Sequence, residues 1–149
     1  DFLHHHDFGR NVYMNKKMLE HPAVTLPYPL EIQRIEQARY TIAKLTEDTG
    51  ITSEDVARRV MDFGMHIWSS HHPFYIPEPL TLEPTETPSK ADIDEYVATL
   101  HHIFDEAYNN PEIIHGAPHN STSHKTDESS LDNPAEWCPT WRLYQKKSI

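Results

Sequence analysis

The chain has 149 residues and a formal net charge of -10, from 13 Lys and Arg against 23 Asp and Glu. This length is enough for one domain with a modest core. The acidic balance lacks the cationic surface that supplies most non-specific affinity for nucleic acid, so we expect no nucleic-acid partner. No apolar run approaches the roughly 18 residues of a membrane span, so we expect a soluble protein without a membrane partner.

Periodicity and capping signals predict three elements in the first half of the chain. Residues 9–20 predict a short helix, and residues 22–36 predict a proline-rich connector. Residues 39–45 predict a strand, because they include β-branched and aromatic side chains. Thr52 and Asp55 are spaced as a capping box, so a helix is predicted from there to Gly64.

The second half predicts two short strands, one long helix and a tail. The strands are predicted at residues 67–68 and 80–83, with a polar and aromatic loop between them. Ser89 and Asp92 predict the start of a five-turn helix that ends at Asn110. We therefore predict an α+β domain over residues 1–117, with a short, mainly antiparallel sheet and helices on one face. Residues 118–149 are predicted as an irregular tail, whose Trp137 to Tyr144 segment could pin it to a surface.

Twelve histidines raise the question of a metal site. Neighbouring residues point in different directions, and the spacings typical of zinc ligands are absent. His101 and His102 lie on the predicted long helix, where a structural role is favoured. His71 and His72 lie in the predicted loop, where functional residues are more frequent. We predict no metal site, and a metal protein built on this loop stays open as an alternative.

Lys125 follows a Ser-His pair, a phrase found near the Schiff-base lysine of pyridoxal-phosphate enzymes. That chemistry also needs a Gly-rich turn or a helix amino terminus for the phosphate and an Asp facing the pyridine nitrogen. The chain has four glycines and no Gly-rich turn. We interpret the phrase at Lys125 as a coincidence and predict no self-sufficient active site in this chain.

Three phrases resemble the end of glycine dehydrogenase (decarboxylating), the P-protein of the glycine cleavage system, especially its two-subunit form. They are GITSEDVARRVMDFG over residues 50–64, LTLEPTETPSK over residues 80–90, and APHN over residues 117–120. Their order and spacing match as well. The similarity extends from about Gly9 to Asn120 and is weaker beyond it.

The resemblance implies a fold-type I pyridoxal-phosphate enzyme, in which a large domain carries the cofactor lysine and a small carboxy-terminal domain covers the site. The chain would be that small domain with its tail, part of a longer polypeptide, and would lack the Schiff-base lysine. The implied reaction decarboxylates glycine with pyridoxal phosphate and passes the aminomethyl group to a lipoyl carrier protein. The implied partners are the large domain or a partner subunit, and the carrier. Cys138 is the only cysteine, which favours a reducing compartment: the cytoplasm, or the mitochondrial matrix in a eukaryote.

The chain departs from the family pattern in two places. It has Ala-Arg-Tyr over residues 38–40 where relatives often carry His-Glu-Phe, and its loop over residues 69–73 is richer in histidine. A branch acting on another amino acid, or a non-enzymatic interaction module of the same fold, therefore remains an alternative. Arg39, His71, His72 and His119 are the predicted cleft-lining residues. Arg39 would either bind a carboxylate bidentately or form a structural ion pair at the strand start.

Overall fold

The structure is a computed structural model that describes residues 6–29, 32, 37–84, 88–126, 133, 137 and 140–147. Within these residues the chain forms six helices and two strands. In chain order they are α1 (His6–Met18), β1 (Ala38–Thr41), α2 (Ala43–Thr49), α3 (Ser53–Met61), β2 (Pro79–Leu82), α4 (Lys90–Asn109), α5 (Pro111–His115) and α6 (Trp141–Lys147). None of these helices is long and apolar enough to cross a membrane.

The two strands pair antiparallel, with Ala38 opposite Leu82 and Thr41 opposite Pro79. Side chains alternate along a strand, so directly opposite residues share one face of the sheet. Ala38 is buried and faces the core together with its partner, whereas Arg39 is only partly buried and lies on the other face. We call the face that carries Arg39 the outer face.

The core lies on the inner face of the sheet, around α4. Apolar residues of α4 are buried at intervals of three and four, as expected for one helical face: Ile93, Val97, Leu100, Phe104 and Ala107. This face contacts α1, α2, α3 and α5. Tyr40 of β1 is fully buried in the same core, and its hydroxyl donates to Asn15 Oδ1 at 2.7 Å. Burial raises the pKa of Tyr40 well above its ordinary value, so this phenol stays protonated.

Both predicted capping boxes are confirmed. The Thr52 side chain accepts from the Asp55 backbone N–H, and the Asp55 carboxylate accepts from the Thr52 backbone N–H. Ser89 and Asp92 make the same reciprocal pair at the start of α4. Caps of this kind contribute about 1 kcal/mol each, and they fix where the two helices begin.

The strand predicted over residues 39–45 is wrong in its second half. β1 ends at Thr41, whose hydroxyl accepts from the Ala43 backbone N–H at 3.2 Å, and the next residues form α2. Ala, Lys and Leu are good helix formers, so local propensity supports the turn into a helix. The predicted strand at residues 67–68 is also wrong. The pairing there is a single bridge between Ser69 and Thr81.

Besides α2, two helices were not predicted: α5, and α6 in the tail that was predicted as irregular. The long helix was predicted to end at Asn110, yet the next residue, Pro111, begins α5, because proline is tolerated where a helix begins. The predicted connector over residues 22–36 lies partly outside the described residues. The short antiparallel sheet and the surrounding helices agree with the predicted α+β class.

Candidate functional site

The outer face of the sheet carries three residues in one row. Arg39 on β1 is opposite Thr81 on β2, and Thr81 is in turn bridged to Ser69. Neighbouring strands lie about 4.8 Å apart, so the two ends of the row, Arg39 and Ser69, are separated by about 10 Å. The row therefore brings Arg39 to the same face as the loop that begins at Ser69. We call residues 69–78 the outer loop.

The first turn of the outer loop is fixed by two hydroxyl groups. The Ser69 Oγ accepts from the backbone N–H groups of His71 at 3.4 Å and His72 at 3.2 Å. The Thr81 hydroxyl donates to the His72 carbonyl at 2.6 Å. The peptide groups around His72 are thus held on both sides, which gives the following side chains a defined position.

The far end of the outer loop is fixed as well. The Thr41 hydroxyl donates to the Pro77 carbonyl at 2.5 Å, and the Glu78 carbonyl accepts from the Ile42 N–H at 3.0 Å. Glu78 has a φ of 45°, which is uncommon for a residue with a side chain. Its carboxylate accepts from the Ser53 N–H at 2.7 Å, so Glu78 also caps the start of α3. The outer loop is fastened to the sheet and to α3.

Three rings project from the outer loop. The ring centroids of His71 and His72 are 4.8 Å apart, those of His72 and Phe74 are 4.6 Å apart, and those of His71 and Phe74 are 6.4 Å apart. Phe74 is 83% exposed and the neighbouring Tyr75 is 73% exposed. We call His71, His72 and Phe74 the ring cluster. Adjacent aromatic groups this exposed are typical of a surface that contacts another molecule or domain.

Arg39 is bound to a neutral side chain. Its Nε and Nη2 donate to the Gln37 Oε1 at 3.2 and 2.7 Å, and the Gln37 amide donates to the Glu83 carboxylate at 2.8 Å. Within the described residues, the guanidinium has no direct carboxylate partner. The structural ion pair predicted for Arg39 is therefore not seen among the described residues, and the predicted binding of a carboxylate stays a prediction.

His119 lies at the other end of α3. Its Nε2 is 2.7 Å from the Ile113 carbonyl, and its backbone N–H donates to the Asp62 carboxylate at 2.6 Å. The outer loop contacts the first residue of α3, because the Ser53 hydroxyl donates to the Ser70 carbonyl at 2.8 Å. The nine residues of α3 span about 14 Å. The structure thus places Arg39 on the face of the sheet from which the loop of His71 and His72 begins, and it leaves His119 near the far end of α3.

Asp62 holds the chain that follows α5. Its side chain is 1% exposed and accepts from the backbone N–H groups of His119 and Asn120, each at 2.6 Å, and from Arg59 Nη1 at 2.9 Å. Arg59 also makes two bonds to Glu106, at 2.9 and 2.8 Å. Burial alone would raise the pKa of Asp62, but the donors from Asn120, Arg59 and His119 hold it below its ordinary value.

Lys125 returns to the first turn of α3. Its Nζ lies 3.4 Å from the Asp55 carboxylate, which Arg58 also approaches at 3.2 Å. Burial alone would raise the pKa of Asp55, but bonds from Thr52 and the nearby cations keep it below its ordinary value. Residues 119–125 therefore run back along α3, and Lys125 acts as an ion-pair partner.

The described residues do not fit a pyridoxal-phosphate site. Lys125, the lysine singled out in the sequence, is half exposed and paired with a carboxylate. Carboxylates of the chain itself accept backbone N–H groups at the start of both helices. Asp55 and Glu78 do so at α3, and Asp92 does so at α4. An anion-binding helix start needs free amide groups. Likewise, no group of three potential metal ligands occurs in the part of the chain that the structure describes.

Sequence reasoning did not identify Thr81 or Ser69, and it did not identify a groove that is lined by other residues. Thr81 is a polar residue between the core residues Leu80 and Leu82, a pattern that signals an outward-facing position on a strand. This groove has a volume of about 290 Å³. Its lining residues include Met14, Trp68, Glu83, Ile93 and Tyr96, and none of the predicted cleft-lining residues.

Comparisons with known proteins agree on one family. The model of the glycine dehydrogenase C-terminal domain matches residues 11–124. A probable glycine dehydrogenase (decarboxylating) subunit 2 of Thermococcus gammatolerans is 37% identical over 133 residues, which cover 89% of this chain and 26% of the relative. The protein of the same name in Pyrococcus furiosus is 36% identical over 135 residues, covering 90% of this chain and 26% of the relative.

A bacterial relative extends the comparison. The probable glycine dehydrogenase (decarboxylating) subunit 2 of Thermosipho africanus is 40% identical over 90 residues, or 60% of this chain and 19% of the relative. The chain thus spans about a quarter of the length of the first relatives, 26% in each of the two archaeal proteins. The family model covers most of the chain, and it confirms the resemblance stated from the three sequence phrases. The chain belongs to the glycine dehydrogenase C-terminal domain family.

Proposed function

We propose that this chain covers the active site of a pyridoxal-phosphate-dependent glycine dehydrogenase (decarboxylating), with its outer face turned toward the active-site cleft of the complete enzyme. The observation that carries the proposal is the outer face itself. It displays an exposed ring cluster and a guanidinium whose described partner is a neutral amide. Groups of this kind bind an anion and exclude water when a second surface closes over them. The name shared by the relatives supplies the reaction.

The residues of the chain would have two roles in this reaction. Arg39 would bind a carboxylate through the N–H groups that it does not donate to Gln37, and the ring cluster would keep water from the active site. Pyridoxal phosphate supplies an electron sink for loss of carbon dioxide. Because the described residues lack a fitting site for it, the part of the enzyme that this chain does not match would hold the cofactor, in a large domain of fold type I.

The proposed partners follow from the same reasoning. They are the large domain or a partner subunit, and a lipoyl carrier protein that accepts the aminomethyl group. Residues 1–117 would form the small domain and residues 118–149 its tail. We place the enzyme in the cytoplasm, or in the mitochondrial matrix of a eukaryote. "The complete enzyme" below means this chain assembled with the part of the relatives' length that it does not match.

The test is substitution of the outer face in the complete enzyme. Arg39→Ala and His72→Ala should each lower kcat/KM for release of carbon dioxide from carboxyl-labelled glycine by about tenfold or more, as is common when a positioning contact is lost. His124→Ala is the control, because His124 is exposed and lies in the tail. His119→Ala measures whether the fourth predicted residue belongs to the site. Unchanged turnover in both outer-face variants would contradict the proposal.

A branch that acts on another amino acid is the main competing function. It would use the same outer face. The feature that favours it is Arg39, which stands in a segment that departs from the usual sequence of the family. Measuring carbon dioxide release from a panel of carboxyl-labelled amino acids separates the two functions. Glycine should give the highest kcat/KM. A higher value for a larger amino acid would replace glycine in the proposal and leave the covering role intact.

A further inference from the structure

Thr81 is the shared neighbour of the two halves of the outer face. On one side it is opposite Arg39 in the sheet, and on the other it is bridged to Ser69 at the start of the outer loop. The residue is 1% exposed, although its side chain carries a hydroxyl. A buried hydroxyl costs stability unless it is hydrogen-bonded, and its bond to the His72 carbonyl at 2.6 Å meets that requirement.

The Thr81 hydroxyl acts on the backbone of His72, the residue whose ring lies between the other two rings of the cluster. The Ser69 Oγ holds the N–H of His72 at 3.2 Å, and Thr81 holds the carbonyl of the same residue. With both ends fixed, the direction of the His72 side chain is fixed too. His72 then sets the ring cluster, because its centroid lies 4.8 Å from that of His71 and 4.6 Å from that of Phe74.

We propose that Thr81 is a positioning residue, which acts through His72 to orient the ring cluster toward the cleft. The inference rests on the proposed function of the outer face. A valine at this position would keep the branched shape and the packing but would lose the donor to His72. The outer loop would stay attached by its far end, at Pro77 and Glu78, while the ring cluster loses its fixed direction.

The test is a double-mutant cycle in the complete enzyme, with kcat and KM for carbon dioxide release from glycine as the readout. Thr81→Val should lower kcat/KM by about tenfold, since small misplacements of positioning groups have effects of that size. Thr81→Ser keeps the hydroxyl and should therefore retain most of the activity of the unmodified enzyme. In a His72→Ala background, Thr81→Val should add little, because its effect passes through the side chain that is already missing.

Thr46→Val is the matched control. The Thr46 hydroxyl also donates to a loop carbonyl, that of Ile51 at 2.7 Å, but its loop does not form part of the outer face. It should leave kcat/KM unchanged. Should Thr81→Val not fold, Ser69→Ala removes the restraint on the N–H side of the same residue, and it should show the same dependence on His72.

The outcomes separate the two proposals. Equal losses from Thr81→Val with and without His72 would overturn the positioning role and indicate a general structural one. Full activity in Thr81→Val, with a loss in His72→Ala, would overturn the role of Thr81 and leave the proposed function standing. Full activity in His72→Ala and Arg39→Ala would overturn the proposed function, and the role of Thr81 with it.

Discussion

Asp62→Ala is the substitution with the largest expected effect on the fold outside the core. The carboxylate accepts three bonds, from the backbone N–H groups of His119 and Asn120 and from Arg59. Bonds to a charged group are worth about 1.5–3 kcal/mol each. The two backbone N–H groups regain water when the tail is released, and Arg59 keeps its two bonds to Glu106. We therefore expect a net loss of about 3 kcal/mol, near the low end for breaking a buried ion pair.

The assay is urea unfolding of the 149-residue chain, with circular dichroism as the signal that reports loss of structure. A loss of about 3 kcal/mol corresponds to a fall in Tm of about 10 °C for a chain of this size. Trypsin cleavage after Lys125 should also become faster, because residues 119–125 lose their attachment to α3. Glu54→Ala is the control on the same helix, since its pair with Arg58 is exposed and long at 3.6 Å. A loss for Asp62→Ala that matches this control would refute the reasoning.

Three further outcomes follow from the structure. The lowered pKa values of Asp62 and Asp55 mean that the unfolded chain binds more protons than the folded chain at acidic pH. The stability that these two carboxylates contribute should therefore be fully present above about pH 4 and be lost as the pH drops further, with a smaller loss in Asp62→Ala, measured by urea unfolding across pH. Burial, with a contribution from His21, lowers the pKa of His101, so stability should decline as the pH falls below about 6.5. His101→Gln should flatten that decline, and an unchanged slope would assign it to other groups. Gly64 has a φ of 73° and open space where a Cβ would lie, so Gly64→Ala should cost about 1 kcal/mol through backbone strain alone.

The predictable parts of this fold depend on residues close together in the sequence. Thr52 with Asp55 and Ser89 with Asp92 are three positions apart, so each capping box is legible in the sequence and was confirmed. The long apolar face of α4 is local in the same sense. The family was also predictable, because each of its three phrases is an uninterrupted run of residues in the sequence.

The unpredicted parts depend on contacts between distant residues. The carbonyl of His72 accepts from the hydroxyl of Thr81, nine residues later. The position of His119 depends on Asp62, 57 residues earlier. A histidine that follows a proline in the sequence gives no sign that its own N–H is bound by a carboxylate on another helix. The structure was therefore required to separate His119 from His71 and His72, and the roles of all three in the cleft stay predictions.

The most direct test of the account is chemical modification of histidine by diethyl pyrocarbonate, mapped by mass spectrometry. His71 and His72 should react readily in the 149-residue chain, because the outer loop is exposed. In the complete enzyme they should be protected, while His124 in the tail should react equally in both. Equal reactivity of His71 and His72 in the chain and in an enzyme that decarboxylates glycine would contradict the claim that the outer face covers the active site.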